Sequence, residues 1–130
     1  MKEKKARDVM TRDVVTVAPD ALITQAIERL LSHNVSCLPV VDADGNLQGI
    51  ISEHDIMNFA FSGDAASTEV AAAMTRDVVT YGPDTDVAVL VNCCASRRIR
   101  RVPIVEGSRV VGIVSRRDIL REMLTMYDRY

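Results

Sequence analysis

The sequence contains the same segment twice, and this duplication constrains the fold more than any other feature. The heptapeptide Met10-Thr11-Arg12-Asp13-Val14-Val15-Thr16 recurs unchanged at residues 74–80. Further matches follow at the same or nearly the same spacing: Pro19-Asp20 with Pro83-Asp84, Pro39-Val40-Val41 with Pro103-Ile104-Val105, and Gly49-Ile50-Ile51-Ser52 with Gly112-Ile113-Val114-Ser115. We therefore interpret the chain as two repeats, residues 6–61 and 70–127, joined by a linker at 62–69.

Each repeat has the predicted element order β-α-β-β-α. In the first repeat, Val14–Val17 predicts a short strand, which Pro19 stops. Apolar residues at helical spacing from Leu22 to Leu31 then predict one face of a helix that ends near Asn34.

The rest of the repeat predicts a hairpin and a final helix. Cys37–Val41 and Leu47–Ser52 flank a turn with the Asp-Gly signal, and a helix follows from Glu53 to about Phe61. The second repeat predicts the matching helix from Arg116 to about Tyr127. Pro39 predicts an edge strand or a strand start, because proline cannot donate a ladder hydrogen bond.

A repeat of this size has a marginal hydrophobic core by itself. We therefore expect the two repeats to pack with pseudo-twofold symmetry into one α/β unit. Such packing predicts two equivalent clefts, each close to one copy of the Ser-x-x-Asp ending.

Composition excludes several classes of function. With 16 basic and 18 acidic residues the net charge is −2, so we do not expect non-specific binding to nucleic acid. The sequence shows no signal peptide and no apolar run of membrane length, and we expect a cytoplasmic protein with no membrane partner. His33 and His54 give no convincing metal site or nucleophile–base pair, so we expect no metal, no catalytic cofactor and no enzyme activity. The three cysteines, Cys37, Cys93 and Cys94, are interpreted as reduced core thiols.

The repeated Ser-x-x-Asp ending has two interpretations. Ser52 with Asp55, and Ser115 with Asp118, have the spacing of a capping box at a helix start. The same spacing holds a hydroxyl and a carboxylate side by side at a helix N-terminus, whose N–H groups favour anionic or polyhydroxylic ligands. The two interpretations are compatible, because Ser can cap while Asp faces a cleft.

These motifs, in this order and twice, resemble a tandem pair of cystathionine-β-synthase (CBS) domains, also called a Bateman module. The resemblance extends from about Ala6 to Met123 and implies a stand-alone regulatory pair of β-α-β-β-α repeats. It implies adenosine-containing ligands, such as AMP, ADP, ATP or S-adenosylmethionine, in clefts between the repeats. A homodimer and an effector protein that senses the ligand are implied as well.

The resemblance also implies which residues bind the ligand. Asp55 and Asp118 match the aspartate that binds the ribose hydroxyls, and Ser52 and Ser115 match the hydroxyl position of the same motif. The remaining matched positions line the base and phosphate side or the wall beside adenine: Val14, Val15, Val35, Ser36, Cys37, Pro39, Val78, Val79, Ile99, Arg100, Arg101, Pro103 and Arg117.

The two repeats differ most in charge. The second repeat has arginine at six positions where the first repeat has other residues. The first four are Arg97, Arg98, Arg100 and Arg101, in place of His33, Asn34, Ser36 and Cys37. The other two are Arg116 and Arg117, in place of Glu53 and His54. Guanidinium groups bind phosphate through paired donors. We therefore expect the Asp118 cleft to hold phosphates better than the Asp55 cleft, with Arg100 or Arg101 facing the ligand, although an arginine could also reach the first cleft.

Bulky apolar residues on the final helices favour self-association. They are Met57, Phe59, Met123, Leu124 and Met126. The alternative to a ligand sensor is therefore a structural dimerisation module whose clefts stay unoccupied.

Overall fold

The protein divides into two compact units, each built around one β-hairpin. The computed structural model describes residues 4–60 and 63–127, without the side chains of 126 and 127. The first-hairpin unit is Val14–Val78, and the second-hairpin unit joins the residues up to Asp13 to those from Val79 onward. The elements in chain order are α1 (Ala6–Val9), α2 (Ile23–His33), β1 (Cys37–Val41), β2 (Leu47–Ser52), α3 (Glu53–Phe59), a 3₁₀ turn (Val70–Ala72), α4 (Val87–Arg97), β3 (Arg101–Glu106), β4 (Arg109–Ser115) and α5 (Arg116–Tyr127).

Both predicted hairpins are confirmed. β1 pairs antiparallel with β2, and β3 pairs antiparallel with β4. In the first turn, Asp42 Oδ1 accepts hydrogen bonds from the backbone N–H groups of Asp44 (3.0 Å) and Asn46 (2.9 Å). The bond from Asn46 is the main reason why the pKa of Asp42 lies below its usual value. Gly45 then closes the turn at a φ of 86°, where a side chain would be strained.

The predicted helices are also present. α2 ends at His33, and Asn34 follows in the left-handed conformation that commonly terminates helices. Leu31 was expected on the apolar face, but it is 76% exposed, so that assignment is wrong. α5 covers its predicted range, whereas Phe61 at the predicted end of the other helix lies outside the described residues.

The strand predicted at Val14–Val17 is wrong, because only Val17 pairs with a neighbour. Its N–H donates to the carbonyl of Pro39 (3.1 Å), and the N–H of Val41 donates to its carbonyl (2.9 Å). The next rung of this parallel ladder would need an N–H from Pro39, which proline lacks. Pro39 is therefore not a strand start: it lies in the middle of β1, with its nitrogen on the side away from β2.

The opening segment of each repeat pairs with the hairpin of the other repeat. The backbone of Thr75 exchanges two hydrogen bonds with Ile50 (2.8 and 2.9 Å), and that of Thr11 does the same with Ile113 (2.9 and 3.0 Å). Each unit thus gains an antiparallel bridge beside its hairpin. The compact units and the sequence repeats have different boundaries, and the repeat boundaries stay a prediction about the duplication.

Ion pairs secure one of these exchanged segments. Around α1, three basic residues each pair with an acid of the second-hairpin unit: Lys4 with Glu122, Lys5 with Asp86 and Arg7 with Asp84. The equivalent segment at residues 68–71 makes the same backbone bonds, from Val70 N–H to the Ala21 carbonyl and from Ala71 N–H to the Pro19 carbonyl. This segment has no basic residue that could form such ion pairs: it consists of Thr68, Glu69, Val70 and Ala71.

Each unit has its own apolar core. The first-hairpin core consists of Val17, Ala26, Leu30, Leu38, Val40, Ile51 and Val70. The second-hairpin core consists of Ala6, Leu90, Cys93, Cys94, Val102, Ile104, Val114 and Ile119. All three cysteines are buried, and the pKa of Cys94 is raised by burial first and by the neighbouring Cys93 second. Among the helices of the described ranges, none has both the length and the apolar character that a membrane crossing needs.

Gly49 allows the exchanged segment to approach β2, and this makes a stability prediction. A Cβ at Gly49 would lie 2.6 Å from the carbonyl oxygen of Thr75, which is backbone and cannot move without breaking the bridge. Gly49→Ala should therefore lower the free energy of unfolding by about 1–3 kcal/mol in urea denaturation. The control is Gly82→Ala, whose Cβ would meet nothing nearer than 3.7 Å; equal losses in both variants would contradict the packing described.

Candidate functional site

Ser52 and Asp55 form a complete capping box where β2 passes into α3. Ser52 lies in extended conformation, and its Oγ accepts a hydrogen bond from the N–H of Asp55 (3.1 Å). In return, Asp55 Oδ2 accepts from both the N–H and the Oγ of Ser52, each at 2.9 Å. The capping interpretation is therefore confirmed, and it fixes the orientation of the Asp55 carboxylate.

The second repeat builds the same arrangement between β4 and α5. Asp118 Oδ2 accepts from the N–H (2.8 Å) and the Oγ (3.0 Å) of Ser115, whose Oγ accepts from the N–H of Asp118 at 3.2 Å. Corresponding distances in the two repeats agree within about 0.1 Å. The local sequence therefore determines how Oδ2 of each carboxylate is held.

The second carboxylate oxygen distinguishes the two sites. Asp55 Oδ1 accepts a hydrogen bond from Thr75 Oγ1 (3.1 Å), which the exchanged segment brings to α3. Asp118 Oδ1 instead accepts from Arg121 Nη1 (2.9 Å) in an ion pair. The Asp118 side chain is 13% exposed and that of Arg121 is 70% exposed. Oδ1 of one aspartate is thus bonded to a neutral hydroxyl and Oδ1 of the other to a solvated cation.

The helix N-termini offer fewer free donors than the sequence suggested. The first N–H of α3, from Glu53, donates to the carbonyl of Ser36, and that of α5, from Arg116, donates to the carbonyl of Arg100, both at 3.0 Å. The N–H of each aspartate is already bonded to its serine. Two of the first three N–H groups are therefore satisfied at each helix, and an anion would depend mainly on side chains.

Several other predicted residues surround the Ser52–Asp55 motif. Cys37 lies directly opposite Ser52 in the β1–β2 ladder, and Ser36 is bonded to α3 through its carbonyl. The Ser36 Oγ is buried and has no hydrogen-bond partner within the described chain. Val15 and Val35 pack against the first-hairpin core, and Pro39 is buried within β1.

Two predicted residues of the same unit have weaker links to the motif. Val14 and Val78 are half-buried, and neither makes a backbone hydrogen bond within the described chain. Their place beside a ligand remains a prediction.

In the second-hairpin unit, Arg101 is the predicted arginine that lies opposite the serine of the motif. It opens β3 directly opposite Ser115 and is half-buried, whereas Arg100 and Arg117 are exposed. Ile99 and Val79 pack against the second-hairpin core, and Pro103 is buried. Of the predicted arginines, Arg101 is therefore the one paired in register with the serine of the motif, and the roles of the other residues beside a ligand remain predictions.

Two residues at the aspartates were missed by sequence reasoning. Thr75 belongs to the heptapeptide that both repeats share unchanged. A short strand does not require seven identical residues, so this identity was a signal that some of these side chains have a further role. Arg121 lies three residues after Asp118, a spacing at which helical side chains meet. Its counterpart in the first repeat is Asn58, so this contact belongs to one repeat only.

The described side chains contain no cluster of three or more His, Cys, Asp or Glu residues suited to a metal ion. The chemistry at both motifs is that of an oriented carboxylate with a neighbouring hydroxyl. Such a pair can accept hydrogen bonds from two hydroxyl groups of a ligand.

The duplicated hairpin units and their paired Ser–Asp motifs define a tandem α/β repeat module. Two segments of the chain, residues 6–62 and 68–125, match the CBS domain family. The protein therefore belongs to the CBS domain family, with two copies of the domain in tandem.

Similar proteins include both long enzymes and small CBS proteins. The chain is 35% identical over 119 residues to inosine-5'-monophosphate dehydrogenase of Methanocaldococcus jannaschii, covering 91% of this chain but only 23% of that enzyme. It is 33% identical over 114 residues to the CBS domain-containing protein YhcV of Bacillus subtilis, covering 87% of this chain and 81% of that protein.

A solved structure with the same fold is the CBS domain pair of protein MJ0100 in complex with 5'-methylthioadenosine and S-adenosyl-L-methionine. It has a TM-score of 0.86 and 30% sequence identity, with 96% of this chain and 99% of that chain covered.

The capping box makes a prediction at Ser115. Ser115→Ala removes the acceptor for the Asp118 N–H and a donor to its carboxylate, so it should lower the free energy of unfolding by about 1 kcal/mol. Ser96→Ala is the matched control, because Ser96 Oγ only donates to the carbonyl of Asn92 within α4. Urea denaturation checks both variants, and a loss at Ser96 as large as at Ser115 would contradict a special role for the cap.

Proposed function

We propose that the protein is a non-catalytic regulatory module that binds adenosine-containing ligands through Asp55 and Asp118. The observation that carries the proposal is the state of the two carboxylates. Oδ2 is saturated by its serine, which locks the group in place, while Oδ1 of Asp55 has a single donor, Thr75. A carboxylate oxygen accepts two hydrogen bonds, so a ribose hydroxyl can bind there without breaking the cap.

The chemistry of a related protein supports adenosine as the common element of the ligand. The CBS pair of protein MJ0100 was solved with 5'-methylthioadenosine and S-adenosyl-L-methionine, and both molecules contain adenosine. Vicinal ribose hydroxyls suit an oriented carboxylate, and half-buried aliphatic residues such as Val15 and Val35 suit the face of a purine. AMP, ADP and ATP share the same group and remain in the proposed ligand class.

The arginines support a preference for phosphorylated ligands at Asp118. Arg101 lies opposite Ser115, and Arg117 and Arg121 flank Asp118 on α5. The corresponding first-repeat positions are Cys37, His54 and Asn58, which carry no permanent positive charge. A phosphate at the second site would therefore be bound by cations that the first site lacks.

Arg121 suggests how binding would be transmitted to a partner. A ligand hydroxyl that bonds to Asp118 Oδ1 competes with the Arg121 guanidinium, which is solvated and can move away. Binding would thus alter the charge displayed on the outer face of α5, and an effector protein that contacts this face would respond. The two states are the one with Arg121 bonded to Asp118 and the one with Arg121 released. A ligand shifts the equilibrium between them only by the difference in its affinity for the two states.

We further propose that the protein acts as a homodimer in the cytoplasm. Met57, Leu120 and Leu124 are 61%, 59% and 61% exposed, which is costly for large apolar side chains unless another surface covers them. Three cysteines buried among apolar residues suit a reducing compartment.

A structural dimerisation module is the second candidate function. It is favoured by the same exposed apolar residues and by capping boxes that are complete without any ligand. In that case the Ser–Asp motifs would serve only to start α3 and α5.

Thermal denaturation distinguishes the two candidates. A ligand that binds only the folded state must raise the midpoint temperature of unfolding. At a ligand concentration a hundred times the Kd, binding adds about 2.7 kcal/mol to the free energy of unfolding. We expect a rise with AMP, ATP or S-adenosylmethionine and none with GMP as the matched control. The double variant Asp55→Ala/Asp118→Ala should lose the rise; an unchanged midpoint with every adenine ligand would favour the structural module.

Titration calorimetry tests the preference between the sites. Asp118→Ala should weaken the tightest AMP binding about 10- to 100-fold, because a hydrogen bond to a charged group is lost. Asp55→Ala should leave that binding within about threefold. With 5'-methylthioadenosine, which has no phosphate, the difference between the variants should disappear. A larger loss of AMP binding in Asp55→Ala would overturn the preference.

A further inference from the structure

Thr11 and Thr75 occupy equivalent places beside the two aspartates. Each exchanges two backbone hydrogen bonds with the isoleucine two residues before the capping serine, at 2.9 and 3.0 Å for Thr11 and at 2.8 and 2.9 Å for Thr75. Each threonine also lies in the same compact unit as its aspartate, Asp118 for Thr11 and Asp55 for Thr75. Because the capping bonds of the two aspartates match as well, the backbone offers each carboxylate the same threonine.

The hydroxyl groups of the two threonines are nevertheless used differently. Thr75 Oγ1 donates to Asp55 Oδ1 at 3.1 Å, whereas Thr11 Oγ1 makes no hydrogen bond among residues 4–60 and 63–127. At Asp118, the Oδ1 atom accepts from Arg121 Nη1 at 2.9 Å. The arginine is therefore the local difference that accounts for the unused hydroxyl of Thr11.

The bond between Arg121 and Asp118 is one that a ligand can replace. The Arg121 side chain is largely exposed, and exposed ion pairs between residues one helical turn apart contribute little stability. A phosphate group offers a guanidinium two oxygen atoms and a full negative charge, so it competes well for the same donors. α3 has Asn58 at the position of Arg121, so no cation competes with the threonine at Asp55.

We propose that Thr11 and Arg121 are alternative partners of Asp118, and that a ligand phosphate exchanges one for the other. This inference rests on the binding of phosphorylated adenosine at Asp118 proposed above and adds the regulation of that site. Without ligand, Arg121 occupies Oδ1. When a phosphate binds the guanidinium, Thr11 donates to Oδ1 as Thr75 does at Asp55. The carboxylate then stays in place and keeps one acceptor position for a ribose hydroxyl.

The exchange needs only side chains to move. The bond made by Thr75 shows that a threonine in this backbone position reaches the carboxylate. The segment that carries Thr11 is also fixed to α5, because Lys4 near its start pairs with Glu122 at 3.1 Å, on the helical turn after Asp118. An adenosine ligand without phosphate leaves Arg121 bonded and Thr11 unused, so the two kinds of ligand depend on different residues.

Urea denaturation without ligand tests whether the two side chains compete. Thr11→Val should leave the urea midpoint unchanged, because the hydroxyl is unused, whereas the matched control Thr75→Val should lower it. Arg121→Asn gives α5 the residue that α3 has, and in this background Thr11→Val should lower the midpoint as Thr75→Val does. An equal effect of Thr11→Val with and without Arg121, including no effect in either, would overturn the competition.

Titration calorimetry in an Asp55→Ala background, which leaves only the second site, tests the role of the phosphate. Thr11→Val should weaken AMP binding about fivefold, because the bond that replaces Arg121 is lost. Thr11→Ser keeps the hydroxyl and should bind AMP within about twofold of the background. With 5'-methylthioadenosine, Thr11→Val should have no effect unless Arg121→Asn is also present. Equal losses with both ligands would overturn the exchange by phosphate.

The exchange and the proposed function fail in different ways. AMP binding that is the same with Thr11→Val as without it would overturn the exchange and leave the ligand sensor intact. No binding of any adenine ligand by the wild type would remove the sensor and the phosphate-driven step together. The urea midpoints would still decide whether Thr11 and Arg121 compete for Asp118, since they are measured without ligand.

Discussion

The backbone pairing between Thr75 and Ile50, repeated between Thr11 and Ile113, is the interaction on which the rest of the structure depends. It attaches the opening segment of one repeat to the hairpin of the other and extends both sheets by one bridge. It also brings the Thr75 hydroxyl to Asp55, which no local sequence relation would do. Glycine at 49 and at 112 follows from the same contact, because a side chain there would occupy the space of the incoming segment.

The features that the sequence predicted correctly are local. The hairpins follow from short apolar runs on either side of an Asp-Gly or Gly turn, and α2 follows from helical spacing up to Asn34. The capping boxes follow from residues three apart, and their geometry is nearly identical in the two repeats because no distant group sets it. The family assignment was also reachable, since duplication repeats each weak motif in order.

The features that the sequence did not predict depend on distant contacts. The missing strand at Val14–Val17 depends on Pro39, which lies more than 20 residues away and removes the rung that the strand would need. Leu31 has helical spacing but faces away from the core that its unit forms. Arg121 was within reach as an i,i+3 partner, yet the choice of Asp118 over Glu122 or solvent is settled only by side-chain positions.

The exchange of opening segments has a consequence for how such a chain can arise and be divided. A single repeat has a hairpin with no segment to complete it and a segment with no hairpin to bind. Two separate copies would satisfy both needs by trading segments, as in domain swapping. Because the linker joins the two repeats, the exchange of segments takes place within one chain and not between two molecules. A cut in the linker would leave two fragments, each of which lacks the segment that the other carries.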